Sequence, residues 1–153
     1  MSNEQNPALT GHVLARIAMP VRWRDLDAFN HVNNASYLTY LEEARLQWLG
    51  ALPGPWLDST SAPVLAAIQI NYRRPIEWPQ DLVVELRCLR LGNSSLRLGH
   101  RIVAAGATDT LYSDGEVVMV WIDRASGKSA ALPESVRAAC AVADGNSLDS
   151  ATA

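Results

Sequence analysis

Between Arg22 and Arg45 the chain runs RWRDLDAFNHVNNASYLTYLEEAR. Residues 22–34 of this stretch hold two aspartates, three asparagines and a histidine, between a strand-like segment and a helix-like one. From Asn34 to Leu49 the apolar residues recur at steps of three and four, which predicts a helix of about four turns. The apolar face is broad, which indicates a helix enclosed by other structure. Gly50 and Pro53 end the pattern.

Five segments outside this helix have the composition of β-strands. The first, His12 to Arg24, contains Pro20, which favours an edge strand or a bulge. The other four follow the helix: Val64 to Arg73, Asp81 to Leu91, Ser95 to Ala104 and Gly115 to Asp123. A short terminal helix is predicted from Leu132 to Ala143. Because no helix separates the four later strands, they are expected to be antiparallel, which predicts an α+β fold with one helix against one sheet.

Length and charge limit the classes of protein that remain. The chain has 153 residues, of which 48% are hydrophobic, enough for one domain with its own core. We expect that domain to span residues 12–143, with polar, poorly ordered ends at 1–11 and 144–153. The 13 basic and 16 acidic residues give a net charge of −3, and no basic run could follow a phosphate backbone. Nucleic acid is therefore not an expected partner.

The cysteines and the termini predict a cytoplasmic protein. Cys88 and Cys140 are far apart, match no metal-ligand spacing and are too few for a disulfide framework. The first residues have no basic opening followed by an apolar segment, so no signal peptide is expected. No apolar run approaches the roughly 20 residues that span a bilayer, so membrane insertion is not expected either.

The polar cluster holds more than a helix cap requires. Asn33 or Asn34 would serve as the N-cap, and Asp and Asn favour turns, but a cap needs only one such residue. Carboxylates here would lie beside the free N–H groups and the positive dipole end of the helix, which can hold an oxyanion. A carboxylate can act as a nucleophile or as a base toward water. The cluster thus contains the parts for hydrolysis by acyl transfer.

Other common catalytic patterns are absent from the sequence. It has no G-x-S-x-G, Walker loop, G-x-G-x-x-G or H-E-x-x-H motif, and its three histidines are scattered. We therefore expect neither a cofactor nor a metal.

The pattern D-x-D-x-x-x-H-V-N-N at Asp25–Asn34, followed by Y-L-x-Y-x-E-x-A-R, resembles the 4-hydroxybenzoyl-CoA thioesterase-like family of hotdog-fold acyl-CoA thioesterases, which includes YbgC-type and long-chain members. The similarity continues through INYRRPIEWPQDLVVELRCLRLGNSSLRLGHRIV at residues 70–103 and LPESVRAA at residues 132–139. It covers roughly Ala18 to Ala139.

The resemblance implies a fold, a reaction and an assembly. The fold would be an antiparallel sheet wrapped around one long helix. The substrate would be an acyl-CoA thioester, with Asp27 as the catalytic carboxylate and the backbone N–H of Asn34 polarising the thioester carbonyl. Family sites lie between subunits, so a homodimer or a homotetramer is expected.

Roles for the remaining polar residues of the cluster stay open. His31 would orient Asp27, hydrogen-bond the water, or anchor the loop to an adjacent subunit. Asn30 would bind substrate or supply a left-handed turn. Asp25 is expected to be a solvated or arginine-paired carboxylate, which lies on the same face as Asp27 if the strand continues that far.

Candidate substrate contacts lie outside the cluster as well. Tyr37 is expected in the pocket wall, and Ser95 is a turn residue that the resemblance makes a candidate pantetheine contact. Arg73 or Arg74 would bind the CoA phosphates, because guanidinium groups match phosphate oxygens. Glu42, Glu43 and Arg45 have the spacing of ion pairs on a helix surface and are interpreted as structural or interfacial residues.

Two other functions remain to be tested. A hotdog hydratase or dehydratase acting on acyl thioesters usually has asparagine two positions and histidine five positions after its aspartate. Here Asn30 and His31 follow Asp27 by three and four positions. The second alternative is a non-catalytic acyl-binding module.

Overall fold

The computed structural model of the protein describes residues 11–145. Its elements are, in order, β1 (Val13–Pro20), α1 (Asn34–Gly50), β2 (Ser61–Tyr72), β3 (Asp81–Leu91), β4 (Ser95–Ala104), β5 (Ala107–Asp123) and α2 (Glu134–Gly145). The strands form one sheet in the order β1-β3-β4-β5-β2. All four neighbouring pairs are antiparallel, which confirms the predicted α+β architecture.

The helix and the two central strands β3 and β4 lie where the sequence predicts them. The bounds of β3 and β4 match the prediction, and α1 extends one residue beyond it. β1 is an edge strand whose last residue is Pro20, as the proline indicated. The predicted poorly ordered ends fall almost entirely outside the described residues, although α2 extends to Gly145.

Three strand predictions are corrected by the structure. β2 runs from Ser61 to Tyr72 instead of from Val64 to Arg73. β1 ends at Pro20 instead of Arg24, and Trp23–Asp25 form a short 3-10 turn, so Asp25 does not lie on a strand beside Asp27. β5 begins at Ala107 instead of Gly115, because the chain turns back at once after β4 and pairs with it from Ala104 and Ala107 onward.

The hydrophobic core lies between the sheet and the inner face of α1. Tyr37, Leu41 and Leu49 on that face are buried against apolar residues that alternate along the strands. Each fully buried leucine contributes about 1.5–3 kcal/mol relative to an exposed one. The opposite face of α1 is uncovered, and Leu38 and Leu46 on it are exposed.

Arg45 is buried on the inner side of α1, which corrects the prediction of a helix-surface arginine. Burial lowers its pKa, and the nearby charge of Glu42 opposes that shift.

The loop before α1 is fastened to the connection between β2 and β3. The N–H of Val32 donates to the carbonyl of Ile76 at 2.8 Å. The polar cluster, the first turn of α1 and the end of β2 therefore lie together. Within the described residues, no helix has both the length and the hydropathy needed to cross a membrane.

Candidate active site

The loop between β1 and α1 is a tight turn that presents Asp27. Leu26 and Val32 form an isolated antiparallel bridge, and the N–H of Asp27 donates to the carbonyl of His31 at 3.0 Å. The N–H of Asn30 donates back to the carbonyl of Asp27 at 3.1 Å. Asn30 has φ 59°, so it does supply a left-handed turn residue.

The carboxylate of Asp27 has one oxygen bound within the loop. Its Oδ1 accepts from the N–H of Phe29 at 2.9 Å, which fixes the side-chain orientation. Oδ2 has no hydrogen-bond donor among the described residues, and the side chain is half-buried. One carboxylate oxygen is therefore available to a ligand.

The first turn of α1 leaves one N–H group without an acceptor. Asn33 is the N-cap, and its Oδ1 accepts from the N–H of Ala35 at 2.9 Å. The carbonyl of Asn33 accepts from the N–H of Ser36 at 2.8 Å. Within residues 11–145 the N–H of Asn34 has no partner, as expected for the first donors of a helix. Such a group, at the positive end of the helix dipole, attracts a negatively charged oxygen.

Two tyrosines hold this helix terminus against the end of β2. The rings of Tyr37 and Tyr72 meet edge to face, with centroids 4.9 Å apart. The hydroxyl of Tyr72 donates to the carbonyl of Asn34 at 3.1 Å, and that of Tyr37 donates to the carbonyl of Arg74 at 3.4 Å. Burial raises the pKa of Tyr37 to about 12, so its hydroxyl stays protonated at neutral pH.

These groups open onto one cavity of about 380 Å³. It brings together most of the predicted site: its lining includes Asp27, His31, Asn34, Tyr37, Arg73 and Arg74. Phe29 and Tyr72 complete the wall with Val32 and Pro75. Tyr72 was not predicted as a site residue, because it ends β2 and nothing in the sequence marks it beyond its aromatic character.

Asn30 and Ser95 do not line this cavity. Asn30 is in the adjacent turn, whereas Ser95 begins β4 and is paired with Val120, toward the opposite end of the sheet. Within one chain, Ser95 is therefore remote from Asp27.

His31 lies at the mouth of the cavity. Its Nε2 is 3.7 Å from Oε1 of Glu77, and the side chain of His31 is half-buried whereas that of Glu77 is exposed. The imidazole makes no hydrogen bond to the carboxylate of Asp27. The backbone carbonyl of His31 supports the loop instead.

Asp25 is buried, which corrects the prediction of a solvated carboxylate and confirms the arginine-paired one. Only 5% of the residue is exposed. Its Oδ2 accepts from the hydroxyl of Tyr40 at 2.7 Å, and its Oδ1 accepts from Nη2 of Arg22 at 3.0 Å. Burial alone would raise the pKa of Asp25, but the hydrogen bonds from Tyr40 and Arg22 outweigh burial and lower it. Asp25 therefore fastens the loop to α1.

Tyr40→Phe should lower the free energy of unfolding at pH 7 by roughly 1–3 kcal/mol, because it removes a donor from a buried carboxylate. A carboxyl group with a lowered pKa stabilises the fold above its ordinary pKa, and this contribution is lost as the pH falls through the folded value. The difference between the variant and the wild type should therefore narrow below about pH 4. Urea unfolding at several pH values measures it.

Tyr112→Phe is the matched control, because Tyr112 is also buried but donates to the neutral side chain of Gln80 at 3.2 Å. Tyr112→Phe should lower the free energy of unfolding by less than Tyr40→Phe does, and this loss should be nearly independent of pH. Equal losses with equal pH profiles in the two variants would contradict the role given to Asp25.

A larger cavity of about 520 Å³ lies beyond the C-terminus of α1, between residues 53–58 and α2. It contains the carboxylate of Asp58, but Oδ1 of that group already accepts from Thr60 and from the N–H of Ser61. Its wall includes the N-terminus of α2, but it contains none of the residues of the Asp25–Asn34 motif. The smaller cavity is therefore the candidate site.

Known proteins that are similar to this chain are thioesterases. A family model described as the thioesterase-like superfamily matches residues 21–140. The long-chain acyl-CoA thioesterase FadM of Escherichia coli is 33% identical over 119 residues, which cover 76% of this chain and 89% of that protein.

Two solved structures are similar in both sequence and shape. A Xanthomonas campestris protein provisionally assigned as an acyl-CoA thioesterase is 48% identical, with a TM-score of 0.72, over 78% of this chain and 99% of that one. A Thermus thermophilus thioesterase solved with coenzyme A and zinc is 35% identical, with a TM-score of 0.72, over 87% of this chain and 96% of that one.

Proposed function

The chain belongs to the thioesterase-like superfamily and is a thioester hydrolase, and we propose that it cleaves acyl-CoA esters in the cavity beside the N-terminus of α1. The family model and the similar solved structures confirm the family and the hotdog fold that were predicted from the Asp25–Asn34 motif. One observation carries the proposal for the site. The available oxygen of Asp27 and the N–H of Asn34, which has no acceptor in the described chain, line the same cavity.

The N–H of Asn34 is proposed as the oxyanion donor. When the thioester carbonyl is attacked, negative charge develops on its oxygen, and a fixed donor aimed at that oxygen lowers the barrier. The next two N–H groups of the turn, those of Ala35 and Ser36, already donate to Asn33. The N–H of Asn34 is therefore the donor left for substrate. The helix dipole acts in the same direction.

Asp27 is proposed as the catalytic carboxylate, by either of two routes. It takes a proton from water as the water attacks the carbonyl, or it attacks the carbonyl itself and forms an anhydride that water then hydrolyses. In both routes the carbon–sulfur bond breaks and CoA leaves as a thiolate, which takes up the proton held by Asp27 in the first route and a proton from water in the second. His31, at the mouth of the cavity, would hydrogen-bond the incoming water.

Substrate contacts are proposed for the rest of the cavity. Tyr37 would form the wall beside the acyl group, while Arg73 and Arg74 would meet the phosphates of CoA. Asn30 would contact the substrate from the adjacent turn. Ser95 would touch pantetheine only if a second subunit brings it to this cavity.

A homodimer or homotetramer is part of the proposal. β2 is an edge strand of twelve residues, and exposed apolar side chains flank it on the strand and on α1. We call this the α1–β2 surface: Leu38, Leu46, Val64 and Leu65. Unpaired edge strands are templates for pairing with another chain. Phe29 in the cavity wall is also exposed in the single chain, and a second subunit would cover it.

The cytoplasm stays the expected compartment. The two cysteines, Cys88 and Cys140, are too few for a disulfide framework.

A panel of acyl-CoA esters of different chain length and aromatic character tests the proposed function. We expect release of free CoA thiol together with the carboxylic acid. Hydration of an enoyl-CoA without thiol release would instead identify the hydratase, and tight binding with neither reaction would identify an acyl-binding module.

Turnover should survive exhaustive chelation and alkylation of accessible thiols, because the proposed chemistry uses only a carboxylate, a backbone N–H and water. Within residues 11–145 no three His, Cys, Asp or Glu side chains are grouped as metal ligands. The rate of thiol release before and after EDTA dialysis measures this, with untreated protein as the control. Activity lost with EDTA and restored by zinc would contradict the mechanism.

A further inference from the structure

Asp114, a buried aspartate on β5, forms a salt bridge with Arg73, one of the two arginines in the cavity wall. Arg73 follows β2 directly, and its N–H donates to the carbonyl of Tyr112 at 2.9 Å, so the backbone pairing with β5 continues past the strand. Nε of Arg73 donates to Oδ2 of Asp114 at 3.2 Å, and Nη2 donates to Oδ1 at 3.1 Å. This side-on arrangement fixes the plane of the guanidinium group.

Asp114 is itself held in place. Its side chain is 2% exposed, against 48% for that of Arg73. Oδ1 also accepts from Nδ2 of Asn71 at 2.9 Å, and Oδ1 of Asn71 accepts from Gln69 at 3.0 Å. The next residue, Gly115, lets the strands approach, because a Cβ there would overlap the carbonyl oxygen of Gln69. The carboxylate of Asp114 is thus held in one position beside the half-exposed side chain of Arg73.

The two neighbouring arginines differ in this respect. In the described part of the chain, the side chain of Arg74 has no hydrogen bond or ion pair, whereas the side chain of Arg73 is bound by the carboxylate of Asp114. The contacts to Asp114 use Nε and Nη2, so both hydrogens of Nη1 and one of Nη2 stay available. A clamped guanidinium loses little side-chain freedom when it binds an anion.

We propose that Asp114 is a positioning residue for substrate: it orients Arg73 so that the remaining donors meet a phosphate of CoA where the nucleotide leaves the cavity. This rests on the proposed function, because it concerns the carrier half of the same substrate. A purely structural ion pair would stabilise the edge of the sheet without distinguishing substrates that carry phosphate from substrates that lack it.

Asp114→Asn tests the proposal with one acyl group presented on two carriers. With the CoA ester, KM should rise about 10-fold, the scale of a charge-assisted hydrogen bond, while kcat changes by less than about 2-fold. With the pantetheine ester, which has no phosphate, both constants should stay at the wild-type values. Binding of CoA itself, measured by calorimetry, should weaken to the same extent without any turnover.

Three further variants separate orientation from charge and from stability. Arg73→Lys keeps the charge but loses the planar fork, so it should raise KM for the CoA ester as Asp114→Asn does. In an Arg73→Ala background, Asp114→Asn should add nothing to KM, because the two residues act as one unit. Glu116→Gln is the matched control: it is two residues along β5 and faces Arg97 at 3.6 Å, outside the cavity lining.

Equal KM changes with both carriers, a wild-type KM in Arg73→Lys, or the same change in Glu116→Gln would overturn the proposal. Hydrolysis of the pantetheine ester by the wild type is an independent check on the proposed function, because that reaction needs no phosphate contact. If only the positioning role is wrong, the wild type should still hydrolyse both esters. If the proposed function is wrong, the wild type should hydrolyse neither ester.

Discussion

Asp27→Asn should lower kcat for a good acyl-CoA substrate by roughly 10² to 10⁴, the range for loss of a positioned acid or base. The amide keeps the shape of the side chain and can still accept from the N–H of Phe29, so the loop should keep its conformation. What is lost is the negative charge that both proposed routes need. Steady-state thiol release measures kcat, and binding of a non-hydrolysable acyl-CoA analogue should be nearly unchanged.

Asp25→Asn is the control for this result, since it removes the same charge two residues away. Asp25 is buried against Tyr40 and Arg22, so this variant should lose stability while the kcat of its folded fraction stays close to normal. Near-normal turnover in Asp27→Asn with collapse in folded Asp25→Asn would assign catalysis to the other carboxylate. Near-normal turnover in both would exclude a carboxylate mechanism.

Leu46→Asp should convert the protein to a monomer and remove most of its activity. Leu46 is 45% exposed in the single chain, so a charge there costs little in the isolated subunit. In the proposed assembly the same charge would be buried on the α1–β2 surface without a partner. A cost of about 3 kcal/mol weakens dimerisation roughly 10²-fold. Sedimentation velocity measures the association, and activity should follow the dimeric fraction.

Leu57→Asp is the matched control, because Leu57 is 47% exposed but lies in the segment that follows α1, beside the larger cavity and outside the α1–β2 surface. It should leave both assembly and activity unchanged. A Leu46→Asp monomer that is fully active would contradict the proposal that a second subunit completes the site.

The sequence predicted best where local preference and the final structure agree. α1 has a clear three-and-four period, a capping asparagine and a glycine at its end, all within one contiguous segment. β3 and β4 are uniform strand-like segments set between Pro, Gly, Asn and Ser breaks, so their bounds could be predicted to the residue.

The prediction was wrong where distant contacts decide the conformation. The first part of β5, from Ala107 to Asp114, has small and polar residues with no clear alternation, and it is a strand because β4 supplies its hydrogen-bond partners. The residues next to Asp25 in the sequence favour a carboxylate at the surface. Only the approach of Tyr40, fifteen residues away, shows that it is buried.

The candidate site was predictable in part for the same reason. Asp27, His31 and Asn34 are close in sequence, so one motif contains them, and Arg73 and Arg74 lie in the second segment that carries the family resemblance. The clamp on Arg73 could not be predicted, because Asp114 lies 41 residues away and the pair depends on the register between β2 and β5. Ser95 came from the resemblance alone, and its role in the site stays a prediction.

The most direct test of the account is the position of the thioester carbonyl in a crystal structure of the Asp27→Asn variant with an acyl-CoA bound. We predict that the carbonyl oxygen lies about 2.7–3.1 Å from the backbone nitrogen of Asn34. The side chain at position 27 should lie on the opposite side of the carbonyl carbon. A carbonyl oxygen out of reach of the Asn34 N–H, or an acyl-CoA bound in the cavity beside residues 53–58, would contradict it.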